Sequence, residues 1–324
     1  MPEIRTQRVA LFLAALAVLG ACTPGGGRDT RSITLYTSVT QDTVDAVVEA
    51  FARDDPGVTV EVFRAPTGEL AARIAAEQRE GGIQADLFWL TDPLSMQQYD
   101  ADGLLGEFTP AEVGQIAAEF RSDRFWGTRL LSMVIIQPAG SNPGVRAWAD
   151  LADPAVGVVA VPDPAFAGSA LGAMAYLAMA DGFGWDFYTR LADHGAVQVN
   201  SPGDVVTGVA EGQFSAGMTL ASSARAAIDK GSPIEIVWPE PGAIVIYSPI
   251  AILASSDNPA SAGDFVDFVL TRAGQEAIAG TGWQPVRADV AWEAGGGPIV
   301  TPSWPDVFNR QDELLDRYRE IFGG

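Results

Sequence analysis

Apolar residues along the chain fall into two alternating spacings. Ile33-Thr34-Leu35-Tyr36-Thr37 is a β-type run, and Val44, Val47, Val48 and Phe51 then recur at helical intervals within 42–53. The same strand, loop, helix unit repeats with Val58 to Arg64, a turn over Ala65 to Gly68, and a helix over Glu69 to Glu80. Ala85 to Leu90 reads as a third strand. Further strands are expected over 130–137, 156–161, 214–220, 233–238 and 243–254, and helices over 169–180, 186–193, 259–270, 272–279 and 305–322. Ser201-Pro202-Gly203-Asp204 supplies an N-cap, a proline at the first helical position and an acid in the first turn, so a helix should run from there to about Glu211. Strands alternating with helices imply a mainly parallel sheet covered on both faces, an α/β fold.

The first residues follow neither spacing. Arg5 and Arg8 precede an unbroken apolar run from Val9 to Leu19, which ends in Leu19-Gly20-Ala21-Cys22. The run is shorter than the ~20 residues needed to cross a bilayer, and with its charged start and small residues it reads as an export signal over 1–21. The last four residues resemble a bacterial lipobox, which implies lipidation of Cys22. Residues 22–32, rich in Gly and polar side chains, read as a flexible tether.

Composition narrows the chemistry. About 300 residues remain beyond the signal, a length at which chains tend to divide into two lobes. The formal charge is −21; removing residues 1–21, whose Glu3, Arg5 and Arg8 give a net +1, leaves −22. Such a body repels phosphate backbones and anionic headgroups, which disfavours nucleic acid and leaves the lipid as the means of membrane attachment. The acids are scattered and read as a solvated surface. A single cysteine allows no internal disulfide, and a single histidine, His194, excludes Ser-His-Asp triads, Cys-His pairs and zinc sites built on His and Cys. His194 itself reads as the last turn of a helix before a C-cap glycine. A hydrolase using two carboxylates is left open by composition.

Several segments together resemble the substrate-binding proteins of ABC importers, in the group related to ferric-ion-binding and 2-aminoethylphosphonate-binding proteins. The carriers are Ile33-Thr34-Leu35-Tyr36, Thr67 to Ile74, Ala85-Asp86-Leu87-Phe88-Trp89, and above all Ala147-Trp148-Ala149-Asp150-Leu151-Ala152-Asp153-Pro154. Pro249 to Ile252 and Ala262 to Glu276 continue the likeness. It implies a two-lobed periplasmic-binding-protein-like fold of type 2, each lobe a mainly parallel sheet flanked by helices. Residues 33–132 and 248–324 would form a discontinuous first lobe and 133–247 the second. A two-stranded hinge would cross near 130–137 and 243–249, with ligand held in the cleft.

Three strand-to-helix loops then become candidate ligand contacts: Thr37, Ser38 and Thr40; Thr67, Gly68 and Glu69; and Ser169 within Gly168-Ser169-Ala170. Each offers hydroxyls and backbone N–H groups at a helix start, which suits a carboxylate, phosphate or phosphonate, although ordinary N-caps use the same residues. Asn200 and Asp92 lie on loops expected near the cleft, and Glu69 could meet a ligand amine. Trp89, Trp126, Trp185, Trp238 and Tyr247 are candidate cleft walls. The paired tyrosines of ferric-binding members fall here on Ser222 and Ser223, and the first-loop histidine on about Thr40, so the anionic ligand set that iron needs is missing.

The expectation is a lipid-anchored solute-binding component of an ABC importer in the periplasm or at the cell surface, with no catalytic activity, cofactor or metal. It would take a small polar, anionic solute such as a phosphonate or phosphate ester. Its partners would be permease and ATPase subunits on separate chains, with the protein itself monomeric. The alternatives are a ferric-ion carrier with atypical ligands and a secreted carboxylate-based hydrolase.

Overall fold

A computed structural model describes residues 31–142, 144–292 and 296–323. The export signal, Cys22 and most of the tether lie outside them. Among the described residues the strands are β1 (Arg31–Thr37), β2 (Val58–Arg64), β3 (Leu87–Trp89), β4 (Trp126–Pro138), β5 (Val159–Pro162), β6 (Val197–Val199), β7 (Ala216–Leu220), β8 (Ile234–Val237), β9 (Ala243–Ile252), β10 (Gln284–Pro285) and β11 (Ile299–Val300). The helices are α1 (Gln41–Asp54), α2 (Thr67–Glu80), α3 (Pro93–Ala101), α4 (Gly168–Met179), α5 (Gly184–Asp193), α6 (Pro202–Ala210), α7 (Ala221–Asp229), α8 (Pro259–Leu270), α9 (Arg272–Gly280), α10 (Trp304–Asn309) and α11 (Gln311–Phe322).

One sheet path runs β2-β1-β3-β9-β4-β7-β5-β6. β1 lies parallel to β2 and β3, and β5 parallel to β6 and β7, as strand–helix–strand crossovers require. Between these two groups stand the long strands β4 and β9, antiparallel to each other. β9, with the sequence Ala-Ile-Val-Ile-Tyr-Ser-Pro-Ile-Ala-Ile, is buried at every position, which is why an unbroken apolar run sits there and not an alternating one. These two strands occupy the segments in which the two-lobed reading expects its hinge.

Helices cover the sheet through their apolar stripes. Val44, Val47 and Phe51 of α1 are buried, with the Phe51 ring edge-on to Phe265 of α8 at 5.1 Å. α4, rich in Ala, Gly, Leu and Met, is buried around most of its circumference. Its Gly172 lets the helix press on β9: a Cβ there would stand 2.9 Å from Ile246 and 3.1 Å from the Trp304 ring.

The single helix expected over 305–322 is broken at Arg310, whose backbone leaves the helical region (φ −121°, ψ 10°). The two pieces bury against different partners, which one straight cylinder could not reach. α10 sets Trp304 edge-on to Tyr247 at 5.7 Å and approaches α3, whereas α11 sets Tyr318 edge-on to Tyr188 of α5 at 5.4 Å and lies against α4. The C-terminal helix thus packs on elements from 133–247, although the chain returns to β9 and the first sheet group before reaching it.

Candidate ligand cleft

A cavity of about 840 Å³ opens where the carboxyl ends of strands from both groups face one another. The ends of β1, β2, β3, β6 and β7 and the starts of α1, α2, α4, α6 and α7 all reach it, which is where ligands lie in open α/β sheets. Of the residues singled out from sequence, Ser38, Thr40, Thr67, Gly68, Glu69, Ser169, Asn200 and Ser223 line this one space. Ser38, Thr91 and Thr67 form a hydroxyl chain along its wall, with Thr91 Oγ1 3.2 Å from both Ser38 Oγ and Thr67 Oγ1. The Thr91 backbone N–H fixes the chain from one end by donating to Ser38 Oγ at 3.1 Å.

Four helices begin at the cavity without a side-chain cap from the residue that precedes them, although in α1 the Asp42 carboxylate accepts from the Thr43 N–H at 2.9 Å. The residues before α1, α2, α4 and α7 are Thr40, Pro66, Ala167 and Leu220, and none caps its helix. Three of these four cannot do so by side chain, against the usual preference at that position. The hydroxyls of Thr67 and Ser169 sit within the first helical turns. By contrast Ser201 does cap α6, accepting from the Asp204 N–H.

Three expected residues are placed elsewhere. Thr37 is fully buried behind the cavity wall, where its hydroxyl donates to the Trp89 carbonyl at 2.7 Å and accepts from the Val39 N–H at 3.0 Å. Asp92 is the N-cap of α3: its carboxylate accepts from the Ser95 N–H at 2.7 Å and the Ser95 hydroxyl at 3.1 Å, while complete burial pushes its pKa up. Ser222 faces away from Ser223 across the turn of α7 and lines a second cavity of about 320 Å³, with Trp238, Trp283 and Trp292. Of the other candidate aromatics, Trp89, Trp126 and Tyr247 are buried in the core, where Trp89 donates to Thr128 Oγ1 at 2.8 Å, and Trp185 packs on Tyr188.

Arg129, Arg64, Thr91 and Trp283 also line the main cavity and were not singled out from sequence. Arg129 follows a register irregularity between Gly127 and Arg129 in the β4–β9 pairing, a feature that re-aims side chains in strands. Its guanidinium lies against the Trp283 ring, 4.1 Å from the centroid, and burial lowers its pKa to about 9 against the opposing pull of Asp42. The available signal was hydropathy: Arg129 is the one charged residue in Trp126–Pro138. Glu69 is the one carboxylate among the described lining residues, and among the described residues no three His, Cys, Asp or Glu side chains gather as a metal site.

Residues 33–284 match the family profile of bacterial extracellular solute-binding proteins. The molybdate-binding proteins ModA of Mycobacterium bovis and Mycobacterium tuberculosis are each 26% identical over 286 residues, covering 85% of this chain and 94% of the relative. Among solved structures, AfuA from Actinobacillus pleuropneumoniae with fructose-6-phosphate bound superposes with a TM-score of 0.81 at 20% identity, covering 90% of this chain and 98% of that one. Iron-bound HitA from Pseudomonas aeruginosa gives 0.79 at 21% identity, covering 90% and 99%.

Proposed function

The chain belongs to the bacterial extracellular solute-binding proteins, and from that premise we propose that it captures a small organic anion, a phosphonate or phosphate ester, for an ABC permease. The observation that carries this reading is the convergence on one hydroxyl-lined cavity of four helix starts whose preceding residue supplies no side-chain cap, three of them with no side-chain partner for their first amides among the described residues. Amides at a helix start carry a partial positive charge and lack internal partners, so an anion satisfies both deficits at once. Arg129 and Arg64 add formal positive charge to the same space. A hard trivalent cation would meet two guanidinium groups and one carboxylate there, which disfavours ferric iron. The names of the relatives point both ways: ModA is named for molybdate and AfuA was solved with a sugar phosphate, whereas HitA was solved with iron, so the choice between the two rests on the lining residues.

The cavity volume lies within the ~300–1,000 Å³ typical of organic-ligand pockets. Glu69 at its edge is positioned to meet an amine, as an aminophosphonate would carry. The protein would act without chemistry of its own, attached through lipidated Cys22 and delivering solute to permease and ATPase subunits on separate chains.

A thermal-shift panel of 2-aminoethylphosphonate, fructose 6-phosphate, inorganic phosphate, molybdate and Fe³⁺ tests the reading. A ligand at about 100 times its dissociation constant stabilises by about 2.7 kcal/mol, which should raise Tm by about 5 °C. A shift with Fe³⁺ alone, or with no member of the panel, would overturn it.

A further inference from the structure

Arg129 is fully buried where β4 borders the cleft. The structure accounts for one of its three guanidinium nitrogens: Nη1 donates to Thr43 Oγ1 at 3.4 Å. Thr43 in turn is held by Thr40 and Thr281, each hydroxyl 3.0 Å from its own. Nε and Nη2 have no acceptor among the described residues. These two nitrogens form one edge of the planar group, the edge that takes two oxygens of an oxoacid side-on. The guanidinium carbon stands 4.1 Å from the Trp283 ring centroid, and because the N–H donors lie in the guanidinium plane, an acceptor approaches within that plane. A buried charge with two idle donors is costly unless something pairs with it.

We infer that the cargo carries an oxoacid group with two free oxygens on one atom, docked side-on against Nε and Nη2 of Arg129 while Trp283 holds the guanidinium plane. This rests on the anionic-solute reading above and narrows it. A neutral sugar or a halide leaves the two-donor edge incomplete. A phosphonate, a phosphate monoester or a carboxylate completes it with one group.

Isothermal titration of 2-aminoethylphosphonate, fructose 6-phosphate, inorganic phosphate and molybdate into wild type, R129K and R129M tests the inference, together with ¹⁵N-correlated NMR of the arginine Nε–H groups. At least one probe should bind the wild type. R129K, which keeps charge but loses the fork, should weaken it about 10-fold or more, and R129M about 100-fold or more. The Nε–H signal that R129K deletes should move downfield when that probe is added. W283L should weaken the same probe, with W283F recovering part of the loss. R129M should also raise the melting temperature of the ligand-free protein, because an apolar side chain replaces an unpaired buried charge. Wild-type affinity in R129K, or a bound probe that leaves the Nε–H signal unmoved, overturns the fork while the anion reading stands. If no probe binds the wild type, both fall.

Discussion

Asp92 shows how one side chain can be placed near a cleft and still serve the fold. Its carboxylate caps α3 through Ser95, and burial raises its pKa, an effect that the Ser95 hydrogen bonds only partly offset. In the unfolded chain the group titrates near its ordinary value of about 3.9. The folded form therefore holds the proton more tightly, and stability falls as pH rises from the unfolded value through the folded one. D92N keeps an oxygen for the cap and has no charge to bury. It should match the wild type in melting temperature near pH ~3.5 and exceed it near pH ~8; parallel curves would exclude this role. Arg129 was harder to read from sequence for the converse reason. Strand patterning treats Trp126 to Pro138 as one apolar run, and only the single charge within it marks the exception. The hydroxyls of Ser38, Thr67 and Ser169 were legible because each sits where a strand gives way to a helix.

At the scale of elements, strong periodicity was readable and weak periodicity was not. β2 occupies the range its sequence pattern predicts, and α6 starts at the expected Ser201 cap. α3, β6 and α7 were not expected: α3 lacks a clean apolar stripe, β6 has three residues, and α7 opens on Ala-Ser-Ser-Ala. The start of α4 is one place where the two sides of the cleft come close. Gly168 meets Asp92 from the other side, and an added Cβ would stand 2.8 Å from the Asp92 carboxyl carbon. Gly68 approaches the Ala165 carbonyl in the same way, at 3.2 Å from its own added Cβ. G168A should hold the two sides of the cleft apart, lowering affinity for the cargo by about 10-fold, equivalent to about 1.4 kcal/mol. Small-angle scattering with saturating ligand should then give a larger radius of gyration than the wild type. Unchanged affinity and radius would show that this contact does not limit closure.

Across the whole molecule, a chain of net charge −21 carries a cleft lined by Arg129 and Arg64. The two charges act over different distances. Scattered surface acids act through solvent, where the screening length falls from about 30 Å at 0.01 M salt to about 8 Å at 0.15 M. Arg129 is buried and is screened far less. An anionic solute is therefore repelled during approach and held once inside. Raising salt from about 0.01 to 0.15 M should increase its association rate and leave dissociation nearly unchanged. Stopped-flow tryptophan fluorescence, with Trp283 lining the cleft as reporter, measures both rates. A cationic cargo would give the opposite trend, because the same acidic body would steer it inward at low salt.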